Sequence, residues 1–223
     1  MSHKNAAILG ATGMIGNYLL EELLKGNEYE TIRLIVRRPI QKPHRRVEIK
    51  LVDFNDTESV KLALEDTDVL FSAMGTTQKN VKGDKAAYRQ ADFEIPLKVA
   101  RLAAENGCRK MVVVTSVGAN SNSSTFYLKL KGELEDALSA MGFDSLHIMQ
   151  PSMLLGDRKE NRPMERMLQW GFKFLSPLFI GGLKKYRGVE GRDLARAMIR
   201  VSLKEEKGVF RYLVPEISRK DAK

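Results

Sequence analysis

The chain has 223 residues, 43% of them hydrophobic and 29% charged, enough for one sizeable core and unlike a disordered or low-complexity protein. No apolar run is long enough to span a bilayer, and the opening Met1-Ser2-His3-Lys4-Asn5 lacks the sections of a signal peptide. The net charge of +9 is spread along the whole chain, so no nucleic-acid partner is expected, and the single Cys108 excludes an intramolecular disulfide and fits a reducing, cytoplasmic setting.

Strand-like and helix-like segments alternate from the start. Ala6 to Leu9 is a short apolar run stopped by Gly10, which reads as a buried strand. Met14 to Lys25 places Ile15, Leu19, Leu20, Leu23 and Leu24 at helical spacing, with Gly26 as the stop. Thr31–Val36 is β-branched and limited by Pro39. Val47–Val52 alternates like a strand, Ser59–Glu65 reads as a helix, and Val69-Leu70-Phe71 as another buried strand. A long helix is expected from Asp84 or Ala91 to Asn106, with Pro96 kinking or breaking it and Gly107 closing it. Met111–Val114 is a strand, and Cys108 just before it reads as a buried, inert thiol. Tyr127–Met141 is a helix ended by Gly142, Ser145–Met149 a strand, Arg192–Leu203 a helix and Val209–Val214 a last strand.

This order predicts one α/β domain over residues 1–223. It is a three-layer Rossmann fold, a mainly parallel, doubly wound sheet with helices on both faces. Residues 151–190 are expected to supply a small C-terminal substrate region or lid. Within it, Met167–Gly182 concentrates Trp170, Phe172, Phe174, Leu175, Leu178, Phe179 and Ile180. Core or lid packing, a subunit interface and contact with a membrane surface all fit that composition.

Gly10-Ala11-Thr12-Gly13-Met14-Ile15-Gly16 lies between the first strand and the first helix. Gly10 suits a tight turn, Gly13 a close approach of backbone to a pyrophosphate, and Gly16 close helix–sheet packing. The amides and positive end of the helix, from Thr12 to Ile15, then hold phosphates. The second strand ends in Arg37-Arg38, where NAD-specific sites place a carboxylate for the ribose 2′-hydroxyl. Two guanidinium groups suit a 2′-phosphate instead, so NADP(H) is the expected cofactor. Asp53-Phe54 follows the third strand, and its carboxylate is placed to accept from the adenine amino group.

Ser116 ends the strand at Met111–Val114, and Tyr127 and Lys131, four apart, share one face of the next helix. A phenol in water is too weak an acid to exchange protons readily at neutral pH, and a nearby ammonium favours its ionised form. Tyr127 is therefore the candidate acid/base, Lys131 its electrostatic partner and a ligand for the nicotinamide ribose, and Ser116 the group that orients a substrate carbonyl. Lys129, two residues from Tyr127, points elsewhere.

Gly10–Gly16, Ser116 and the Tyr127/Lys131 pair resemble the short-chain dehydrogenase/reductase superfamily. Ala6–Gly16, Met74-Gly75-Thr76-Thr77, Tyr127–Glu133 and Gln150–Arg158 with Arg162-Pro163 resemble its atypical, Tat-interacting-protein-like branch. The resemblance implies a Rossmann fold and NADP binding. Met74, Gly75 and Thr76 would line the cofactor, Pro151, Met153 and Leu154 would sit by the nicotinamide, and Arg158 and Arg162 would be substrate-side groups or structural ion pairs. The branch usually has Arg-Pro where this chain has Gln150-Pro151, and the superfamily's fourth, asparagine-type site residue has no counterpart in the motifs.

The function expected is an NADP(H)-dependent oxidoreductase acting on a small carbonyl or quinone-like substrate. The alternative is an NADPH-binding redox sensor that regulates a protein partner with little turnover. A nucleotide-sugar epimerase is disfavoured, because only roughly 70 residues follow Pro151.

Overall fold

In a computed structural model of the chain, the described residues are 4–77, 80–156 and 187–218. The apolar runs become a seven-stranded sheet: β1 (Asn5–Leu9), β2 (Thr31–Val36), β3 (Val47–Leu51), β4 (Val69–Ser72), β5 (Lys110–Val114), β6 (Ser145–Met149) and β9 (Gly208–Tyr212). All neighbours pair in parallel, in the order β3-β2-β1-β4-β5-β6-β9. A separate two-residue ladder joins β7 (Leu154–Leu155) to β8 (Val189–Glu190). The helices are α1 (Met14–Lys25), α2 (Thr57–Ala63), α3 (Lys85–Arg89), α4 (Ile95–Glu105), α5 (Phe126–Ser139), α6 (Gly191–Ser202) and α7 (Val214–Ile217).

The strands explain the layering. Along β1, Ala6 and Ile8 join Leu19, Leu23, Leu194 and Met198 in one apolar cluster, under α1 and α6. Ala7 and Leu9 join Val60, Val99, Ala103, Leu134 and Leu138 in a second, under α2, α4 and α5. Side chains alternate across a strand, so a central strand covered on both faces is mostly apolar throughout. The three-layer, doubly wound expectation therefore holds. The edge strands are less demanding, and Leu51 of β3 and Val209 of β9 are exposed.

Several boundaries differ from expectation for local reasons. The α2 helix starts at Thr57 because the Asp56 side chain accepts from the Glu58 amide. Asp84 caps α3 in the same way, through the amides of Ala86 and Ala87. The last strand stops at Tyr212, and Val214 with Pro215 turns into a short helix.

The long helix before β5 is broken where Pro96 required, and the break has a defined form. Residues Gln90–Glu94 make a π-helical turn, and the Ile95 amide reaches back to the Gln90 carbonyl. Proline has no N–H, and its ring clashes with the carbonyl four residues earlier, here that of Asp92. Widening the turn removes the conflict, and Pro96 then sits in the first turn of α4.

The α1 and α6 helices are also joined by charge. Glu22 accepts from Lys25 at 2.7 Å, Arg192 at 2.5 Å and Arg196 at 3.0 Å. Burial pushes its carboxyl up, but the three cations outweigh burial and hold it at about 2. A carboxylate depressed in the folded state adds stability above its unfolded pKa, and that stability is lost as pH falls through the folded value. Glu22→Gln is therefore expected to lower urea stability by about 1–2 kcal/mol at pH 7, since the arginines are partly exposed and screened. The deficit should shrink below pH ~4.5 and vanish near pH 2. A deficit that stays constant from pH 7 to pH 2.5 would contradict this.

Candidate functional site

The turn between β1 and α1 is shaped by backbone packed on backbone. Gly10 has φ +87°, and a Cβ there would lie 2.7 Å from the Ala73 carbonyl carbon and the Met74 nitrogen, just past β4. A Cβ on Gly16 would lie 2.2 Å from the Gly10 carbonyl oxygen. The Gly13 amide closes the turn onto that same oxygen at 3.0 Å. Gly13 is also the N-cap of α1, and neither a capping side chain nor an acidic residue occupies the first turn. Asn17 ties back the Thr12 and Gly13 carbonyls, at 3.1 and 2.9 Å. The result is an uncapped helix start with exposed Thr12 and Gly13, half-buried Met14 and buried Ile15. A cradle without Cβ atoms and with free amides fits a pyrophosphate.

The other expected nucleotide residues lie on the same edge of the sheet, at the C-terminal ends of successive strands. Arg37 and Arg38 follow β2, are exposed, and have no ion-pair partner among the described residues. Asp53 is exposed, and its Oδ1 accepts from the Asn55 amide at 2.9 Å, which shapes the turn. Phe54 packs on the second core, and its carbonyl accepts from Lys98 at 2.9 Å. Met74, Gly75 and Thr76 follow β4. Pro151 follows β6, and its carbonyl accepts from the Val117 amide at 2.9 Å. Met153 accepts from the Val189 amide and Leu154 pairs with Val189 in the small ladder. Arg158, Arg162, the Met167–Gly182 segment and most of the expected lid lie outside the described residues.

Ser116 sits just past β5, and its hydroxyl donates to the Val117 carbonyl at a long 3.4 Å. Its loop is fastened to α5 by the Asn120 amide, which donates to the Leu128 carbonyl at 3.0 Å. Gly132 permits this approach, since a Cβ there would lie 2.1 Å from the Ser121 nitrogen. Tyr127 is half-buried at the start of α5, and its hydroxyl has no hydrogen-bond partner among the described residues. Lys131 follows one turn later on the same face, its ammonium 6.0 Å from the Tyr127 ring centre.

One neighbour of this cluster was missed in the sequence. Lys131 Nζ lies 2.8 Å from Asp92 Oδ2, with the two side chains 4% and 1% exposed. Asp92 belongs to the π-helical turn that Pro96 imposes. Its other oxygen accepts from the Thr76 amide at 2.6 Å. A carboxylate inside a helix reads as a solvated polar residue, and only Pro96 four residues later hinted at a local irregularity.

Two further groups have structural roles. Glu135, one more turn along α5, is buried and accepts from Thr115 at 2.7 Å, from Gln150 at 2.8 and 3.0 Å, and from Arg211 at 3.2 Å. Gln150, the departure from the branch pattern, thus fastens the end of β6 to α5. Cys108 is buried, and burial pushes its thiol up to about 11, in keeping with an inert role.

A parallel sheet with a glycine cradle at the β1/β4 reversal of strand order defines a dinucleotide-binding Rossmann protein. A family profile described as NAD(P)H-binding matches residues 10–168. The mitochondrial protein fmp52 of Aspergillus niger is 33% identical over 210 residues, covering 92% of this chain and 89% of the relative. Protein HTATIP2 of Rattus norvegicus is 34% identical over 185 residues, covering 82% and 76%. The chain belongs to the NAD(P)H-binding family, in the atypical branch of the short-chain dehydrogenase/reductases. Solved structures share the fold at lower identity. The enzyme WbmH of Bordetella bronchiseptica, in complex with NAD+, superposes with a TM-score of 0.71 at 18% identity, over 95% of this chain and 76% of that one. A UDP-N-acetylglucosamine 4-epimerase of Methanobrevibacter ruminantium M1 gives 0.70 at 19%, over 96% and 77%.

The cradle yields a direct test. Gly16→Ala places a methyl group against a backbone oxygen that no rotamer change can move. It is expected to destabilise the fold by about 1–3 kcal/mol and to weaken dinucleotide binding at least about tenfold. Thermal unfolding and calorimetric titration check this, and wild-type values in both would contradict the packing described.

Proposed function

We propose that the protein is an NADP(H)-dependent oxidoreductase acting on a small carbonyl or quinone-like substrate. The observation that carries this reading is the placement of Tyr127 and Lys131 on one face of α5, with Ser116 just past β5, at the sheet edge that also holds the glycine cradle. Arg37 and Arg38 support the choice of NADP(H), because two exposed guanidinium groups beyond β2, without an ion-pair partner among the described residues, suit a 2′-phosphate. Gly10, Thr12, Gly13, Met14 and Ile15 would hold the pyrophosphate. Asp53 and Phe54 would border the adenine, and Met74, Gly75, Thr76, Pro151, Met153 and Leu154 the rest of the dinucleotide.

When bound, the nicotinamide supplies or accepts a hydride. The chain's own residues handle the proton. In reduction Tyr127 donates a proton to the substrate oxygen as carbon receives the hydride, and in oxidation it takes that proton back. Ser116 orients and polarises the carbonyl, and Lys131 supplies positive charge and donors for the ribose hydroxyls. The buried, lone Cys108 supports a reducing compartment such as the cytoplasm, although the fungal relatives are named mitochondrial.

The test is NADPH oxidation by the wild type and Tyr127→Phe across a panel of carbonyls and quinones. The variant should lose at least about a hundredfold in turnover, within the usual range for removing an acid/base group. Its NADPH affinity should stay within about twofold of wild type. Retained turnover would end the acid/base assignment. Tight NADPH binding by the wild type with no turnover on any substrate would favour the redox-sensing role instead.

A further inference from the structure

Two pairs of side chains face each other behind the site. Tyr88 and Asp92 come from the broken helix, Tyr127 and Lys131 from α5. The tyrosine rings meet edge to face with centres 6.3 Å apart, and Asp92 meets Lys131 at 2.8 Å. Tyr88 and Asp92 also grip both polar backbone groups of Thr76. The Tyr88 hydroxyl donates to the Thr76 carbonyl at 3.3 Å, and Asp92 Oδ1 accepts from the Thr76 amide at 2.6 Å. Gly75 beside it is also near the carboxylate: a Cβ there would lie 3.6 Å from Asp92 Oδ2, an ordinary contact distance.

We propose that Asp92 is a positioning residue for the nicotinamide half of the dinucleotide, acting through Lys131 and the Thr76 loop. This rests on the dinucleotide reading above. The chemistry is specific to a carboxylate. One oxygen is committed to an amide and the other to an ammonium, so a single side chain sets the height of the loop and the direction of the lysine. An ammonium carries three donors. One is spent on Asp92, which leaves two for vicinal ribose hydroxyls and fixes where they point. Burial makes the arrangement stiff, because neither charge can leave its partner without an uncompensated charge remaining in the interior. The π-helical turn is part of the device, since the wide turn before Pro96 carries Asp92.

Asp92→Asn tests the proposal with two ligands. Asparagine keeps an oxygen for the Thr76 amide but offers no counter-charge to Lys131. The probes are NADPH and 2′,5′-ADP, which carries the adenine half alone and reports on the glycine cradle and the arginines. Asp92→Asn is expected to weaken NADPH about tenfold and to leave 2′,5′-ADP within about twofold. Lys131→Met and the double variant Asp92→Asn/Lys131→Met complete the cycle. The double variant should bind NADPH no more weakly than Lys131→Met alone, because Asp92 acts through the lysine. It also contains no unpaired buried charge, so it remains informative if Asp92→Asn fails to fold.

Wild-type NADPH affinity in Asp92→Asn would overturn the proposal. So would equal loss of both ligands, which marks a general structural strut, and so would penalties from Asp92→Asn and Lys131→Met that simply add. If the wild-type protein binds neither ligand, the dinucleotide reading fails first and this proposal falls with it.

Discussion

At the turn after β1 the chain runs so close to itself that side chains are excluded. Gly10 lies against the backbone after β4, and Gly16 lies against Gly10. A helix can start directly above the sheet there only if no Cβ intervenes. That contact aims the uncapped end of α1 at the gap between β1 and β4, where the strand order reverses and the connections depart in opposite directions. Every other feature of the site is arranged around that gap. The strand ends carrying Arg37, Asp53, Thr76, Ser116 and Pro151 reach the same edge because all seven strands are parallel and in register.

A second constraint is local. Pro96 denies the helix one hydrogen bond, and the chain answers with a π-helical turn. The turn carries a buried carboxylate, and α5 brings a buried ammonium to meet it. The α5 helix is held close by Gly132, which lets the Asn120–Ser121 backbone lie on its surface. Glu135 continues the same face and fixes the ends of β5 and β6 through Thr115 and Gln150. The helix that bears Tyr127 is thus anchored at each successive turn.

Much of this was legible in the sequence. The central strands read clearly because burial on both faces leaves few polar positions, and α1 read clearly because Ile15, Leu19, Leu20, Leu23 and Leu24 fall on one stripe. The glycine spacing located the tight turn between β1 and α1, and the run Arg37-Arg38 fell just past the end of β2 as read. The start of α2 at Thr57 was placed two residues late because it depends on Asp56, whose cap looks like an ordinary loop aspartate, whereas of the two starts read for the long helix the structure takes the one at Asp84, the N-cap of α3. The β7–β8 ladder was missed because two-residue strands have no periodicity. Asp92 was missed for a deeper reason: its role depends on Lys131 and Thr76, distant in sequence, and a carboxylate's partner cannot be read from its own neighbours. Pro96 signalled the break but not the contact that the break creates.

Under the proposal, the cradle and the two arginines form an NADP(H) site. The most direct test is calorimetric titration of the cofactor-stripped protein with NADPH and, separately, with NADH. The account predicts that NADPH binds at least about tenfold more tightly, a difference of roughly 1.4 kcal/mol. Equal affinity would contradict the role given to Arg37 and Arg38, and binding of neither nucleotide would contradict the site itself.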